Sequence, residues 1–318
     1  MKILTGIQPS GKLHWGNYFG AMKSMFDLQA KGEQLFMFIA NFHAMTTVRD
    51  GETLRAATRD VALDYLACGL DPARSIMYRQ SDVPEVQELA WYLSCLTPMG
   101  LLERCHSYKD KMAHGFEATH GLFAYPVLMA ADILIMNADL VPVGKDQKQH
   151  LEVTRDLAQK FNNAYGEIFK LPDAYIPETV ATIPGTDGQK MSKSYHNTIE
   201  LFDASVKKKV MGIVTDSKTM EEPKEPEGNS IYGLYKLFAT PEEVAEMAAS
   251  FRAGNYGYGH AKKALLASYH RLFDPFKARR EELARDPDSL EDILRDGAVK
   301  ARAAAAPLME KVRRAVGL

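Results

Sequence analysis

Two short stretches carry the side chains best suited to handling a polyphosphate. Gln8-Pro9-Ser10-Gly11-Lys12-Leu13-His14-Trp15-Gly16-Asn17 lies between an expected strand and an expected helix. Gly11 and Gly16 permit close backbone approach, the start of the helix offers free amides, and His14 and Asn17 add polar groups where a triphosphate could lie. A plain turn with an N-capping residue accounts for His14 and Asn17 at least as well. The second stretch, Gly188-Gln189-Lys190-Met191-Ser192-Lys193-Ser194, puts two lysines on a glycine-bearing loop. Their ammonium groups can follow charge onto a departing pyrophosphate during an in-line displacement at phosphorus, although the stretch alone could be an ordinary solvated turn.

The elements that must position these loops follow from apolar spacing. Ile3 to Ile7 reads as a buried strand. Phe19, Met22 and Phe26 recur at helical spacing up to the stop at Lys31-Gly32, and Leu35 to Ala40 is a second apolar strand. Leu54, Ala57, Val61, Tyr65 and Cys68 form a helical stripe ending at Gly69, and Ile76-Met77-Tyr78 is a third strand. This alternation predicts an α/β fold with a parallel sheet, right-handed crossovers and ligands at the strands' C-terminal ends. Residues from about 85 to 136 read as helical. Leu140 to Val143 then resumes the sheet and opens onto Gly144-Lys145-Asp146 and a helix from Gln147. After Phe202 the chain is Lys-, Glu- and Ala-rich with helical periodicity. A capping box is expected at Asp288 and Glu291, a kink or helix end at Pro307, and a mobile surface loop over Glu221 to Gly228.

At 318 residues, 46% hydrophobic and 25% charged, the chain has globular composition and length for about two domains. Its start lacks a basic stretch followed by an apolar run, and the most apolar stretch, Gly121 to Val143, is broken by Pro126, Asp132, Asn137 and Asp139, so no secretion signal and no membrane span are expected. Three dispersed cysteines, Cys68, Cys95 and Cys105, argue against a disulfide framework and fit a reducing cytoplasm. A net charge of -2 excludes a generally basic nucleic-acid coat but leaves room for a local RNA-binding patch.

Taken together, the two signatures on either side of a nucleotide-type sheet resemble the class I aminoacyl-tRNA synthetases. Tyr125-Pro126-Val127-Leu128-Met129-Ala130-Ala131-Asp132-Ile133-Leu134 and Val141-Pro142-Val143-Gly144-Lys145-Asp146-Gln147-Lys148-Gln149-His150 look like the bacterial tryptophanyl branch of that family. The likeness spans nearly the whole chain and is strongest up to about Phe202. It implies a Rossmann-like catalytic domain over residues 1–200, with a helical insertion at about 85–136, and an α-helical anticodon-binding domain over 201–318. The implied reaction uses ATP with Mg2+ to activate tryptophan and charges the corresponding tRNA. The implied assembly is a homodimer, with Trp91, Tyr92 and Leu93 as an interface that could equally be intrachain core.

Carried over by residue, the resemblance implies that Gln8, Pro9, Ser10, Gly16 and Asn17 contact ATP, with Gly144, Lys145, Asp146 and Ile183 around the adenosine. Lys190, Met191, Ser192, Lys193 and Ser194 would line its phosphates. His14, Asn17, Lys190, Lys193 and Lys111 would act in catalysis, Lys109 and Lys111 lying near the phosphates or else on a solvated helix face. Asp132 would accept the indole N–H, since a carboxylate in an apolar pocket rejects a substrate without that donor; the alternative is a helix-surface charge, against which its apolar neighbours Ala131, Ile133 and Met129 weigh. Tyr125 and Gln147 would hold the ammonium end. Met129, Val141 and Val143 would pack the ring, and ordinary core packing explains those three types equally well. His43, at the end of the second strand, joins this set, although a lone histidine is as often structural. Asp146 could also be an N-cap and Gly144 a turn residue. Lys207, Lys208, Lys209, Arg279, Arg280, Arg313 and Arg314 are candidates for tRNA phosphate contact, or solvated helix faces. Trp15 replaces the family's branched aliphatic, and Lys145 a more common acid. With no cysteine after Cys105, no metal cluster is expected. The competing readings are a tyrosyl enzyme and a paralogue that binds without charging tRNA.

Overall fold

The computed structural model of the chain describes residues 1–105, 115, 117, 119–144, 148–175 and 183–318. Their contacts divide them into two compact units, Met1–Gly11 with Phe26–Glu178 and Asp286–Leu318, and Lys12–Met25 with Thr179–Arg285. A linear boundary at residue 200 therefore does not describe the units, because the last helix joins the first of them.

The first unit holds a parallel sheet of β1 (Lys2–Ile7), β2 (Gln34–Ile39), β3 (Ser75–Arg79), β4 (Leu140–Pro142) and β5 (Asp173–Tyr175), in the order β3-β2-β1-β4-β5. In β2 the run Leu35-Phe36-Met37-Phe38-Ile39 is buried throughout, as a central parallel strand covered on both faces requires. The strand order reverses between β1 and β4, so the loops after these strands flank the crevice where such sheets bind ligands. β5 is short and polar and had no periodic signal; its pairing with β4 creates it. The helix Gly51–Cys68 begins where the Asp50 carboxylate accepts the Thr53 amide at 2.6 Å and stops at Gly69, whose φ of 127° suits only glycine.

The C-terminal helix Pro287–Val316 is capped by Asp286, which accepts the Ser289 amide at 3.0 Å. The box expected from Asp288 and Glu291 does not form; Glu291 pairs with Arg79 instead. Pro307 lies inside this helix and does not end it. Its lost hydrogen bond costs about 3 kcal/mol. Met309 and Val312, wholly buried beyond it in the sheet's core, together contribute about 3–6 kcal/mol, so continuing the helix is favoured. The helix reaches β3 through Gly297, where a Cβ would stand 1.7 Å from the Met77 carbonyl oxygen.

The second unit is helical around an aromatic core, with helices Ser230–Phe238, Pro241–Ala253 and Tyr258–Ala284. Trp15, fully buried, packs edge-on to Phe238 at 4.8 Å and stacks on Tyr269 at 5.3 Å, which explains an indole in place of an aliphatic side chain. The segment expected to be a mobile surface loop, Glu221 to Gly228, is pinned by Lys224. That ammonium is buried and donates to the carbonyls of Thr219, Met220 and Glu222 at 2.6, 3.3 and 2.9 Å. Among the described residues no helix is long and apolar enough to cross a membrane.

Candidate active site

In the first unit the site is built on the helix His120–Ile135, where Tyr125, Met129 and Asp132 follow the i, i+4, i+7 spacing that places them on one face. Asp132 is 3% exposed. Its Oδ2 lies 2.9 Å from His43 Nε2, and Gln80 Nε2 donates to Oδ1 and Oδ2 at 2.8 and 2.9 Å. Burial raises the Asp132 pKa above the usual carboxylate value, and the bonds from His43 and Gln80 oppose that rise. A carboxylate offers about four acceptor positions, so among the described residues these contacts leave one for a further donor.

Around this acid the ends of the strands supply the rest. Gln8, just beyond β1, donates from Nε2 to the His43 carbonyl at 3.1 Å. His43, in the turn after β2, meets the Tyr125 ring edge-on at 6.0 Å, and the Tyr125 hydroxyl is 2.8 Å from His150 Nε2. Val141 and Val143 are buried, while Met129 is partly buried against the same core. Tyr78 of β3 is buried too, its phenol pKa pushed well up by burial and then by the Asp132 charge. Sequence reasoning missed Gln80 and His150. Gln80 follows the third strand directly, in the position where a parallel sheet gathers its ligands, and that placement was the available signal.

In the second unit the His14 segment and the lysine loop are joined through residues 199–201. The Trp15 amide donates to the Ile199 carbonyl and the Leu201 amide to the Leu13 carbonyl, both at 3.0 Å. Asn17 Oδ1 accepts the His14 amide at 3.0 Å, so its capping role is real. His14 is buried, its Nδ1 has no hydrogen-bond partner among the described residues, and burial, then the Lys193 charge, lowers its pKa to about 4. It is therefore neutral at pH 7. A Cβ on Gly16 would come within 2.9 Å of the His14 ring, which accounts for the glycine.

The lysine loop is organised by Asn197, 2% exposed and unnoticed in the sequence. Its Oδ1 accepts the Ser192 amide at 2.8 Å, while its Nδ2 donates to Asp187 Oδ1 at 2.8 Å and to the Lys190 carbonyl at 3.0 Å. Met191 is buried, and its amide donates to the Ile183 carbonyl at 2.8 Å, so this side chain anchors the loop. Ser192 Oγ accepts the Ser194 amide at 3.3 Å. Lys190 is exposed and Lys193 half-buried; burial lowers the Lys193 pKa, against an opposing pull from Glu200. Lys193, Lys209, His196, Thr186 and Thr198 line a cavity of about 320 Å3, a cationic and hydroxyl-bearing surface suited to a phosphate group.

Several expected residues are not brought together here. Lys109, Lys111, Lys145, Asp146 and Gln147 lie outside the described residues. Arg313 and Arg314 belong to the first unit, paired with Glu88 and Glu310 at 2.6 and 3.1 Å, so they are not part of a separate helical domain. Lys209 pairs with Asp203 at 2.6 Å. Among the described residues no group of three or more acidic, histidine or cysteine side chains could hold a metal. Near the lysine loop Asp187 is committed to Asn197 and Glu200 to Lys12.

Comparison with known proteins agrees with this geometry. The family model for class I tRNA synthetases of the W and Y type matches residues 1–274. The tryptophan–tRNA ligases of Rhodopirellula baltica and Fusobacterium nucleatum are each 54% identical, with all of this chain and 100% and 98% of those proteins covered. The crystal structure of tryptophanyl-tRNA synthetase from Campylobacter jejuni complexed with ADP and tryptophan superposes with a TM-score of 0.94 at 51% identity, over 100% of both chains.

Proposed function

The chain belongs to the class I tRNA synthetases of the tryptophan and tyrosine type, and from that membership we propose how its residues divide the work of a tryptophan–tRNA ligase. The enzyme activates tryptophan with ATP and joins it to its transfer RNA. In the proposed first step the tryptophan carboxylate attacks the α-phosphorus of ATP, giving the adenylate and pyrophosphate. In the second, the ribose of the tRNA's terminal adenosine attacks the activated carbonyl.

The observation that carries the substrate reading is the buried, triply bonded Asp132 with one acceptor position left. An indole N–H fills it. A ring without that donor leaves one acceptor position of a buried anion unfilled, and that cost falls on the wrong ring alone. Tyr125 and Gln147 take the ammonium end, and Met129, Val141, Val143 and His43 pack around the ring. ATP is held by Gln8, Pro9, Ser10, Gly16, Asn17, Gly144, Lys145, Asp146 and Ile183. Lys190, Lys193 and Lys111 stabilise charge developing on the phosphates, with the backbone of Met191, Ser192 and Ser194 placing the loop. Neutral His14 offers a ring nitrogen to a phosphate oxygen without adding a charge. Holding two reactants in place contributes about 7–11 kcal/mol of barrier reduction. Mg2+ bound with the triphosphate would add charge stabilisation to that supplied by Lys190 and Lys193.

We propose that the helices of the second unit, with Lys207, Lys208, Arg279 and Arg280, contact the tRNA, and that the reaction takes place in the cytoplasm. We propose further that a second copy of the chain covers Trp91, which is 68% exposed on the helix Glu85–Ser94. Sedimentation would report a dimer dispersed by Trp91→Glu. Amino-acid-dependent ATP–pyrophosphate exchange and tRNA charging test the whole reading. Exchange with tryptophan and charging of its tRNA are expected; exchange with tyrosine alone would overturn the assignment, and exchange without charging would remove its second half.

A further inference from the structure

Gln80 is fully buried, and both ends of its amide are committed. Nε2 bridges the two oxygens of Asp132, while Oε1 accepts the backbone amides of Phe42 and His43 at 3.0 and 3.4 Å. The amide has only one satisfied orientation. Turned over, its oxygen would face the carboxylate and its NH2 would face two N–H groups. Gln80 thus ties the end of β3, the His43 turn and the Asp132 carboxylate into one network. The next residue is tied in parallel: the Ser81 amide donates to Asn41 Oδ1 at 3.0 Å, and Asn41 Nδ2 donates to Ser81 Oγ at 2.7 Å.

The residue before Gln80 is gripped from far along the chain. Arg79 donates from Nε to Asp82 at 2.7 Å and, as a two-pronged fork, from Nη1 and Nη2 to Glu291 at 2.8 and 2.6 Å. Glu291 stands one turn into the C-terminal helix, which presses on the same strand through Gly297. The fork borders a cavity of about 510 Å3 that it shares with Arg55 and Arg59, so water and salt reach it.

We propose that Gln80 is a specificity-determining positioning residue of the tryptophan pocket, and that the Arg79–Glu291 fork is the device by which the C-terminal helix holds it in place. The inference rests on the reading of Asp132 as the acceptor of the indole N–H. Its physical core is that an anion rejects a ring lacking a donor only if the anion cannot turn to another partner. Gln80, bridging both oxygens, is what prevents Asp132 from turning. Freed of Gln80, the carboxylate rotates or takes water, and the penalty on the wrong ring falls.

The test measures kcat/KM in ATP–pyrophosphate exchange for tryptophan and for benzothienylalanine, in which sulfur replaces the indole N–H. In Gln80→Met, which keeps the length but removes both donors, the ratio between the two should fall about tenfold or more, with the KM for ATP unchanged. Glu291→Gln, on a partly exposed side chain, should lower the ratio by about two- to fivefold. The double variant should match Gln80→Met alone, because the fork acts through Gln80. Should Gln80→Met not fold, Gln80→Glu replaces the NH2 group while keeping the oxygen for the two amides, and the same fall is expected. An unchanged ratio in the Gln80 variant, beside a collapsed ratio in Asp132→Ala, would overturn the inference and leave the pocket reading intact. An unchanged ratio in Asp132→Ala would overturn the reading itself. Additive effects of Glu291→Gln and Gln80→Met would show that the fork does not work through Gln80.

Discussion

Asp132 and Lys190 contrast in exposure: one is 3% exposed, the other open to solvent. The acid is bonded by two side chains that are themselves tied down, His43 through its carbonyl to Gln8 and Gln80 through its amide oxygen to the Phe42 and His43 amides. At the lysine loop the anchoring stops at the backbone, where Asn197 and Met191 hold the chain and leave the Lys190 ammonium at the surface. A group that must reject the wrong ring has to be fixed before the ring arrives. A group that must track charge onto a leaving phosphate needs a fixed base and a movable tip. The same fold meets both needs by changing how far the hydrogen bonding reaches along the side chain.

The sharpest way to break this contrast is Asp132→Ala. We expect kcat/KM for tryptophan to fall on the order of 10³-fold and the preference over benzothienylalanine to disappear, while the KM for ATP stays within about twofold. Steady-state kinetics with both amino acids measures it, and a retained preference would move recognition elsewhere. Next in size, Lys190→Ala or Lys193→Ala should lower kcat by about 10²-fold with the preference between the two rings untouched. A change in that preference would mean that the two regions are not separable in function. Asn197→Ala should have a smaller effect. With the Ser192 amide and the Lys190 carbonyl unpartnered, we expect kcat to drop about tenfold and limited proteolysis within residues 186–196 to accelerate, with tryptophan binding unaltered.

The smallest effect concerns His14 and acts on stability. Its folded pKa, about 4, lies below the value of 6.5 it has when exposed, so at intermediate pH the unfolded chain binds a proton that the folded chain refuses. Its stabilising share is complete above pH 6.5 and is lost as pH falls from there towards 4. Thermal unfolding of the wild type should therefore decline over this window more steeply than that of His14→Asn. Parallel curves would mean that the ring is solvated. Because His14 is already neutral, the kcat profile between pH 6 and 8 should carry no limb from it.

Much of this was legible in the residues. The alternation of apolar strands and helical stripes predicted the parallel sheet, and Ile3 to Ile7 and Leu35 to Ala40 fall on β1 and β2 almost residue for residue. Asp132 stood out because its neighbours Ala131, Ile133 and Met129 are apolar, which weighs against the alternative of a helix-surface charge. What stayed hidden depends on contacts between distant positions. Gln80 and Asn197 are ordinary polar residues until burial leaves them one set of partners each. β5 exists only by pairing with β4. The C-terminal helix reads as part of a helical tail because its small face, Gly297, Ala298, Ala301 and Ala305, carries too little apolar surface to announce a sheet as its partner.

That helix also sets an order of events during synthesis. Arg79 and Glu291 are 212 positions apart, so at about 5–20 residues per second strand β3 waits roughly 10–40 s for the element that covers it. Throughout that interval one flank of the nascent sheet, with the Met77 backbone at its centre, faces water or a chaperone, and the surroundings of Gln80 and Asp132 are completed only when a segment translated 212 residues later arrives.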